Sequence, residues 1–593
     1  MKNIVCLTLL CISMVHAVDG DLDATFGNAV PTDGKLLWPF DNGNEDVVAN
    51  ALVVRFDGVI IAGGAAKTSA GSNDERFALS WFDANGTATV AQTETVILQT
   101  SKINGLAVQP DGKVIAVGTA MRNSPARNEF AIARYTFDGQ LDTSFGTNGV
   151  TTISFFSKLD GMTVIDAQAE AHAVALTKNG KIVVVGQAQD INALPSDPNS
   201  FYAIAVLNPD GTLDTNFAEG DGRKVFSSIM YDGFTSILSG TAKAVAIQLV
   251  EGQERIVFVG QGLYDTSPTP IRFFQIGRVT LDGYLDLSFN TYGVDQLPFA
   301  LGDFSGPIAT GVDVYPDGRI IAVGQVFINS VAKTIMVLTR RLKNGGNDPT
   351  FTLPMNVYGS ASRSIFTEGV VVQNDKKFAV VGTVDGGSQV ENMFVGRFNE
   401  DGTPDSTFGS ASPLVGLTET DFGSASDARA VAIDQEGRLV AAGSARFDAE
   451  HRQLALARYQ DANESDQVFV VPTVDSPVQA SNVNAQVVFT GDAQNPSNIT
   501  VYIDGQVQAR LVNFGDVSRT LPPEQTNRWT YYPTVPLAQG KHVLEVVAEY
   551  KSGNMNAMAE RVCFGVDQGP LGCLAAAIRN KYCDGGCISA KRF

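Results

Sequence analysis

The sequence predicts an all-β protein: a seven-bladed β-propeller of four-stranded blades, followed by a β-sandwich domain and a short cysteine-containing tail. Three observations support this prediction. An apolar run that ends in glycine recurs seven times, an Asp-x-x-Phe motif recurs beside it, and longer strands of alternating polarity follow the last copy. A chain of 593 residues is also too long for one ordinary core, and its hydrophobic content of 44% is that of a folded protein.

The first 17 residues are predicted to be an export signal and not part of the fold. Lys2 precedes an apolar run, and Val15 and Ala17 stand at positions −3 and −1 of a cleavage site after Ala17. We therefore expect a secreted or periplasmic protein, or one associated with the cell surface. No later segment contains the roughly 18 uninterrupted apolar residues of a membrane helix, so no membrane span is predicted.

The charge of the chain excludes one class of partner. The formal net charge is −20, with 43 Lys and Arg against 63 Asp and Glu. Proteins that bind nucleic acid concentrate Lys and Arg, and no basic run occurs before the final residues. We expect no nucleic-acid partner and a soluble, solvated surface.

Residues 18–464 are predicted to form the propeller, because one unit recurs through them. Its apolar run ends in glycine at a mean spacing of about 63 residues. The seven copies of the run are residues 57–64, 111–118, 179–186, 254–260, 317–324, 376–382 and 436–443. Asp-Gly or Asn-Gly at the start of a run is the signal of a tight hairpin, since the central residues of that turn need positive φ.

Each unit contains about four strand-like pieces. The apolar run does not alternate in polarity, so both of its faces must be covered. Four-stranded units stacked radially cover each other's faces, and this is the arrangement of a β-propeller. Either the N-terminal segment 22–27 or residues 460–469 could complete the ring, and the sequence leaves both open.

A second motif repeats an aspartate eight residues after a position that is usually arginine. The aspartates are Asp142, Asp214, Asp286, Asp348 and Asp405, and the arginines are Arg134, Arg278, Arg340, Arg397 and Arg458. These residues could form rings of charge around a ligand channel, or the aspartates could bind calcium. Alternatively, each aspartate caps a turn and pairs with the arginine of the adjoining strand. We favour this structural role, because calcium loops concentrate several carboxylates and carbonyls within about a dozen residues.

The repeat resembles a known family. Asp-Gly-x-Leu-Asp-x-x-Phe-Gly occurs at 138–146, with Gln-Pro-Asp-Gly-Lys at 109–113 and Phe-Ala-x-Ala-Arg-Tyr at 130–135. The combination is similar to the delta-60 repeats of secreted bacterial proteins, and the resemblance extends over about residues 22–460. It implies a β-propeller and no established activity.

The sequence contains few signals of catalysis. The three histidines after the predicted signal, His172, His451 and His542, have no ligand spacing between them, and we expect the first two in loops or at strand edges. The serine-hydrolase elbow, the phosphate-binding loop and the dinucleotide-binding glycine pattern are all missing. We therefore predict no catalytic, cofactor-binding or metal-binding residues and no cofactor, and we favour a protein that is not an enzyme without excluding one.

Residues 470–566 differ from the repeats. Their strands are longer and alternate in polarity, with hairpins expected around Asp504-Gly505 and Ser552-Gly553, which favours an immunoglobulin-like β-sandwich. The tail at 567–593 follows. Four late cysteines, Cys563, Cys573, Cys583 and Cys587, are predicted to form two disulfides with three pairings open, since the compartment is oxidising.

These features favour an exported binding or scaffold protein whose propeller loops recognise a polysaccharide or an envelope protein. Loops that vary in length from blade to blade, such as 191–199, would supply specificity. Two alternatives stay open. One is a propeller-type lyase or hydrolase that uses loop carboxylates, and the other is a structural or adhesive surface protein in which the propeller is a spacer.

Overall fold

The structure is a computed structural model. It describes residues 19–28, 32–39, 47–55, 57–67, 74–124, 126–159, 163–190, 200–226, 228–231, 234–264, 271–290, 292–297, 303–351, 356–358, 363–385, 390–409, 415–448 and 451–460, together with eight strands between 476 and 566. The predicted export signal and the tail at 567–593 lie outside these ranges, and so do the side chains of the late cysteines.

The described residues before 461 form seven antiparallel sheets, and this confirms the predicted seven-bladed propeller of four-stranded blades. Strands are numbered along the chain, beginning with β1 (Lys35–Trp38). Blade 1 contains β2 (Val47–Val54), β3 (Ile60–Lys67), β4 (Glu75–Phe82) and β5 (Ala88–Thr95). Blade 2 contains β6 (Thr100–Val108), β7 (Val114–Asn123), β8 (Ala126–Tyr135) and β9 (Val150–Ile153).

Blades 3 and 4 each have a fifth strand, which pairs with the start of a lengthened first strand. Blade 3 contains β10 (Phe155–Leu159), β11 (Thr163–Leu176), β12 (Ile182–Asp190), β13 (Ser200–Leu207) and β14 (Arg223–Phe226). Blade 4 contains β15 (Ser228–Tyr231), β16 (Phe234–Val250), β17 (Gln253–Tyr264), β18 (Ile271–Thr280) and β19 (Val294–Leu297). A single turn of 3₁₀ helix, Ala218–Gly220, precedes β14.

The remaining three blades have four strands each. Blade 5 contains β20 (Phe304–Val314), β21 (Ile320–Ile328), β22 (Lys333–Arg341) and β23 (Asn356–Tyr358). Blade 6 contains β24 (Ile365–Val372), β25 (Phe378–Val384), β26 (Asn392–Phe398) and β27 (Leu417–Thr420). Blade 7 contains β28 (Ser426–Ile433), β29 (Leu439–Arg446), β30 (Arg452–Tyr459) and the N-terminal strand β1.

The ring is closed by the N-terminal segment. Strand β1 pairs antiparallel with β30, with Lys35 opposite Ala457. Leu22 forms a further bridge with Tyr459, and the Gly20 N–H donates to the Gln460 carbonyl at 2.8 Å. The structure thus selects one of the two closing segments that the sequence left open.

The predicted apolar runs form the second strand of each blade. In blade 2 the run begins at a turn in which Gly112 has φ 78°, and its N–H donates to the Gln109 carbonyl at 2.8 Å. The strand that follows is fully buried from Val114 to Val117. Its Ile115 and Val117 pack in one cluster with Ile182 of blade 3, so the neighbouring sheet covers this face.

The two ends of the propeller differ. We call the end that carries the turns between first and second strands the turn face, and the end at which first strands begin the mouth face. Because the strands are antiparallel, the Asp-x-x-Phe motifs lie at the turn face, whereas the loops between second and third strands lie at the mouth face. The extra strands β10 and β15 also lengthen the mouth face.

Two sheets follow the propeller. The first contains β31 (Ser476–Val478), β32 (Val488–Asp492) and β35 (Arg528–Tyr531). The second contains β33 (Asn498–Ile503), β34 (Gln506–Val512), β36 (Gly540–Glu549), β37 (Asn556–Met558) and β38 (Val562–Val566). Strands β33 and β34 pair antiparallel on either side of 504–505, as the sequence predicts. The immunoglobulin-like assignment stays a prediction. In the described residues no helix is long and apolar enough to cross a membrane.

Candidate functional site

The repeated arginine and aspartate lie together at the turn face. Arg134 Nε donates to Asp142 Oδ2 at 2.8 Å, and both side chains are largely buried. The same Nε–Oδ2 distance is 2.9 Å in Arg278–Asp286, 2.7 Å in Arg340–Asp348, 2.7 Å in Arg397–Asp405 and 2.8 Å in Arg458–Asp23. Five blades therefore contain this Arg–Asp pair.

Each aspartate of these pairs also caps a turn. Asp142 Oδ1 accepts hydrogen bonds from the backbone N–H of Ser144 at 3.1 Å and from its hydroxyl at 2.6 Å. Burial by itself would raise the pKa of Asp142, but the hydrogen bonds from Ser144 and Lys113 and the charge of Arg134 lower it to about 2. Asp142 is accordingly ionised at neutral pH and fully engaged within its own blade.

The arginine of the pair also contacts the next blade. Arg134 Nη1 donates to the Pro209 carbonyl at 2.6 Å, and the guanidinium lies 4.9 Å from the centre of the Phe145 ring. Phe145 is the phenylalanine of the Asp-x-x-Phe motif. Arg278, Arg340 and Arg458 donate in the same way to carbonyls of the following blade, at Lys343, Glu400 and Ala84. These groups stabilise the junctions between blades and offer no free charge to a ligand.

Sequence reasoning missed a further cation, which contacts the motif aspartate in six blades. It is the residue directly after the turn between first and second strands: Lys113, Lys181, Arg255, Arg319, Lys377 and Arg438. The Nζ–Oδ2 distance is 3.2 Å from Lys113 to Asp142 and 2.9 Å from Lys377 to Asp405. The signal was present as the Lys or Arg that follows the turn in six of the seven runs.

Two blades lack the arginine, with Trp81 in blade 1 and Val206 in blade 3. In blade 1, Arg55 from the turn between β2 and β3 replaces it and donates to the Phe137 carbonyl at 2.6 Å. In blade 3, Asp214 retains only its lysine, Lys181, at 2.5 Å. Among the described blade junctions, the one between blades 3 and 4 is thus the one without an arginine contact at the turn face.

A different ring of polar residues lies at the central channel. The first strand of every blade has a β-bulge at the same position, which leaves one residue without a partner on the second strand. Consecutive first strands contact each other all the way round, so these residues surround the channel axis. We call them the channel ring: Asn50, Asn104, His172, Lys243, Thr310, Glu368 and Arg429.

Close packing of the first strands explains what flanks the channel ring. The residue after each ring position is alanine or glycine: Ala51, Gly105, Ala173, Ala244, Gly311, Gly369 and Ala430. A Cβ built on Gly105 would lie 3.2 Å from the Ala173 Cα of the next blade. Larger side chains would force neighbouring first strands apart. A polar residue before a small one in each Ala/Val stretch was therefore the sequence signal that could have revealed the ring.

Four channel-ring side chains bond to the next blade. The Asn50 amide donates to the Ile103 carbonyl at 2.7 Å, and the Asn104 amide donates to the Ala171 carbonyl at 2.7 Å. The Nδ1–H of His172 donates to the Ala242 carbonyl at 2.8 Å. Arg429 closes this series by donating to Asn50 Oδ1 at 2.7 Å.

A cavity of about 370 Å³ opens on the mouth face between blades 7, 1 and 2. Its polar lining residues are Asn50, Lys67, Glu75, Lys102, Asn104, Arg429 and Arg452. Arg452 and Arg429 both form ion pairs with Asp427, with Arg452 Nη1 2.7 Å from Oδ2 and Arg429 Nε 3.3 Å from Oδ1. The Lys102 ammonium makes no hydrogen bond or ion pair with a described residue, and its charge lowers the pKa of Glu170. The cavity therefore combines four cationic side chains with two amides and one carboxylate.

The channel shifts the pKa values of three ring residues, His172, Lys243 and Glu368. Burial lowers the pKa of His172, so this imidazole is neutral at pH 7. Burial also lowers the pKa of Lys243, and the charge of Lys102 adds to this effect while Glu170 and Glu368 oppose it. No cluster of three or more His, Cys, Asp or Glu that could hold a metal ion occurs in the described part of the chain.

The predicted site residues thus separate into two places. His451, which the sequence placed in a loop or at a strand edge, bonds to Asp448 in the turn of blade 7, with its Nδ1 2.9 Å from the carboxylate. His172 is in the channel ring. His542 and the four late cysteines belong to the part of the chain whose side chains the structure does not describe.

Comparison with known proteins supports the fold. Residues 109–145 and 177–217 match a family model described as "Domain of unknown function (DUF5122) beta-propeller". These two segments belong to blades 2 and 3 and include the Arg134–Asp142 pair. No curated protein matches the sequence. The resemblance to delta-60 repeats stays a prediction.

Solved structures show similarity at low sequence identity. A protein of unknown function from Dyadobacter fermentans is 10% identical, with 72% of this chain and 98% of that chain covered and a TM-score of 0.37. The β-propeller domain of the Trilobed protease from Pyrococcus furiosus is 11% identical, with 70% and 95% covered and a TM-score of 0.34. A levansucrase variant from B. megaterium is 12% identical, with 54% and 85% covered and a TM-score of 0.28. The family match and the seven sheets together identify this chain as a β-propeller protein of unknown function.

Proposed function

We propose that this chain is an exported binding protein whose propeller binds an acidic saccharide at the mouth of its central channel. The observation that carries the proposal is the cavity between blades 7, 1 and 2, in which Lys67, Lys102, Arg429 and Arg452 converge. A volume of about 370 Å³ is within the range of small-ligand sites.

The charge of the cavity favours an anionic group on the ligand. The whole chain has a formal net charge of −20, yet this cavity contains four cationic side chains and one carboxylate. Charge of one sign in a cleft with low-dielectric walls raises the local concentration of the opposite ion. Lys102 is available to bind it, because no described residue pairs with this ammonium.

The uncharged lining favours hydroxyl groups on the same ligand. Asn104 uses its amide N–H on Ala171, which leaves its Oδ1 as an acceptor, and the Glu75 carboxylate is a second acceptor at the cavity. Among the lining residues that the structure describes, none has an aromatic ring. Recognition would therefore depend on hydrogen bonds and charge, and a saccharide that carries carboxylates offers both.

The two other functions considered from the sequence have less support. A lyase or hydrolase of the carboxylate type needs paired acidic groups at the bond that is broken, and the described lining residues include one carboxylate, Glu75. A propeller that only separates other domains would not need a basic cavity in an acidic chain. The predicted export signal favours ligands outside the cytoplasm.

The test is a binding titration on the mature full chain, residues 18–593. An oligosaccharide of uronic acid units would be compared by calorimetry with its methyl-esterified form, which keeps the hydroxyls and removes the charge. We expect binding of the acid alone, weakened by salt. Lys102→Gln should reduce affinity about tenfold or more, because a hydrogen bond to a charged group contributes about 1.5 to 3 kcal/mol.

The matched control is Lys178→Gln, an exposed lysine on the turn face, which should leave affinity unchanged. Equal affinity for acid and ester, or no effect of Lys102→Gln, would overturn the proposal. Shortened oligosaccharides in the cell after titration would instead show turnover and favour the enzyme alternative.

A further inference from the structure

The channel ring is divided into a bonded part and an open part. Asn50, Asn104, His172 and Arg429 each bond to the following blade. Lys243, Thr310 and Glu368, from blades 4 to 6, have no hydrogen bond or ion pair to a described residue. The Thr310 hydroxyl is enclosed and without a partner. In the bonded part, the acceptor is usually the carbonyl of the residue just before the ring position of the next blade. The equivalent carbonyls in the open part are those of Ala309, Thr367 and Ala428, and no described side chain donates to them.

Glu368 is the most unusual group in the open part. Enclosure by the channel raises the pKa of Glu368, and the charge of Asp427 adds to this, against the opposing effect of Arg429 and Lys243. Glu368 is exposed toward the channel space and no described side chain donates to its carboxylate, so a ligand in the channel can reach it and supply a donor.

Glu368 is beside the basic cavity. A Cβ built on Gly369 would lie 3.7 Å from the Arg429 carbonyl, so the bulges of blades 6 and 7 are adjacent. Arg429 lines the cavity and also influences the carboxyl of Glu368. A ligand whose anionic group is bound by Lys102 and Arg429 would therefore present its other side to Glu368.

Both signs of charge are present at the channel. On the side of blades 7, 1 and 2 the cations Lys67, Lys102, Arg429 and Arg452 face the carboxylates of Glu75 and Asp427. The charges of Glu170, Glu368 and Lys102 all act on Lys243 in the channel ring, so both signs of charge meet there. Such a channel is complementary to a molecule that carries both signs of charge.

We propose that the ligand is zwitterionic, an amino sugar acid, and that Glu368 binds its ammonium group while Lys102 and Arg429 bind its carboxylate. This inference rests on the proposed function, because it names the ligand class of that same site. Glu368 is then the residue that distinguishes an amino sugar acid from an ordinary uronic acid.

The test uses three probes that differ only at carbon 2: glucuronic acid, 2-amino-2-deoxyglucuronic acid and the N-acetyl form of the latter. Their affinities for the mature full chain would be measured by calorimetry at pH 7. We expect the free amine to bind about tenfold more tightly than the other two. Glu368→Gln should abolish this preference and leave the affinity for glucuronic acid unchanged.

Glu391→Gln is the matched control, an exposed glutamate of the same blade, and it should retain the preference. Glu368 has no described partner, so its replacement should fold, and the unchanged affinity for glucuronic acid verifies this directly. Equal binding of the three probes would overturn the zwitterion proposal and leave the acidic-saccharide function standing. Binding of none would overturn both. A preference for the amine that survives in Glu368→Gln would reject the role of Glu368.

Discussion

Arg458 and Asp23, which are 435 residues apart in the chain, form a buried ion pair with Nε and Oδ2 at 2.8 Å. Arg458 is on the third strand of blade 7, and Asp23 belongs to the N-terminal segment that completes that blade. Arg438 adds a second contact to the same carboxylate at 3.0 Å. The repeated Arg–Asp pair, local in other blades, therefore joins the two ends of the propeller here.

Loss of this pair should destabilise the closed ring. Asp23→Ala leaves the buried Arg458 with only the more distant carboxylate of Asp434, at 3.7 Å. Removing one partner of a buried pair costs about 3 to 5 kcal/mol of unfolding free energy. The urea midpoint of the mature chain, followed by tryptophan fluorescence, measures the loss. Asp33→Ala, which removes an exposed partner of Lys35 in the same segment, should cost no more than about 1 kcal/mol. Similar midpoints for the two variants would contradict this account of closure.

The Arg–Asp pairs within single blades should behave in the same way. Arg340→Met keeps most of the apolar volume but removes the guanidinium that donates to Asp348 Oδ2 and to the Glu400 carbonyl. We expect a loss of about 3 to 5 kcal/mol in the free energy of unfolding. Arg446→Met, at the exposed end of β29, makes the same chemical change and should stay within about 0.5 kcal/mol of the wild type. A small effect at both sites would show that the pair is dispensable.

Asp313 should make stability depend on pH. Its carboxylate accepts the Val372 N–H of the neighbouring blade at 2.8 Å, but burial raises the pKa of Asp313 to about 6. A folded-state pKa above the unfolded value of 3.8 means that the stabilising contribution is complete below about pH 3.8 and is lost as the pH rises through about 6. Asp313→Asn removes this loss, so the free energy of unfolding of the variant should exceed that of the wild type by up to about 3 kcal/mol at pH 7.

Urea midpoints of wild type and Asp313→Asn between pH 4 and pH 8 test this prediction. The difference between the two should grow from pH 4 to pH 7 and then level off. Asp282→Asn, an exposed replacement at the turn face, should differ little from the wild type at every pH. A constant difference for Asp313→Asn across the range would show that the carboxyl does not titrate there.

The small residues beside the channel ring should tolerate alanine and reject larger side chains. Four blades already have alanine at the position of Gly105, and a Cβ there would lie 3.2 Å from Ala173 Cα. Gly105→Ala should therefore cost about 1 kcal/mol or less, whereas Gly105→Val should cost about 1 to 3 kcal/mol by overpacking. Thermal unfolding of the two variants side by side provides the comparison, and equal melting temperatures would contradict it.

Much of the architecture could be predicted because it repeats. The apolar run before Gly118 predicts a strand covered on both faces, and Val114–Val117 are fully buried in the structure. The repeated spacing of Arg134 and Asp142 predicted that these two residues pair, and the structure brings them into contact. The channel ring could not be predicted from the repeat in the same way, because its residue type varies from copy to copy. Only the common bulge shows that Lys243 and Glu368 occupy equivalent positions.

The sequence by itself determined the class of fold, the number of blades and the residues that repeat at each blade. These features depend on hydrophobic periodicity and turn chemistry inside one unit of about 63 residues, and the same pattern recurs in each copy of the unit. Only the tertiary structure decided that residues 19–38 close the ring and that seven unlike side chains meet at the channel. The physical reason is that a ring joins segments hundreds of residues apart. Which charges then face each other depends on closure and not on any local pattern.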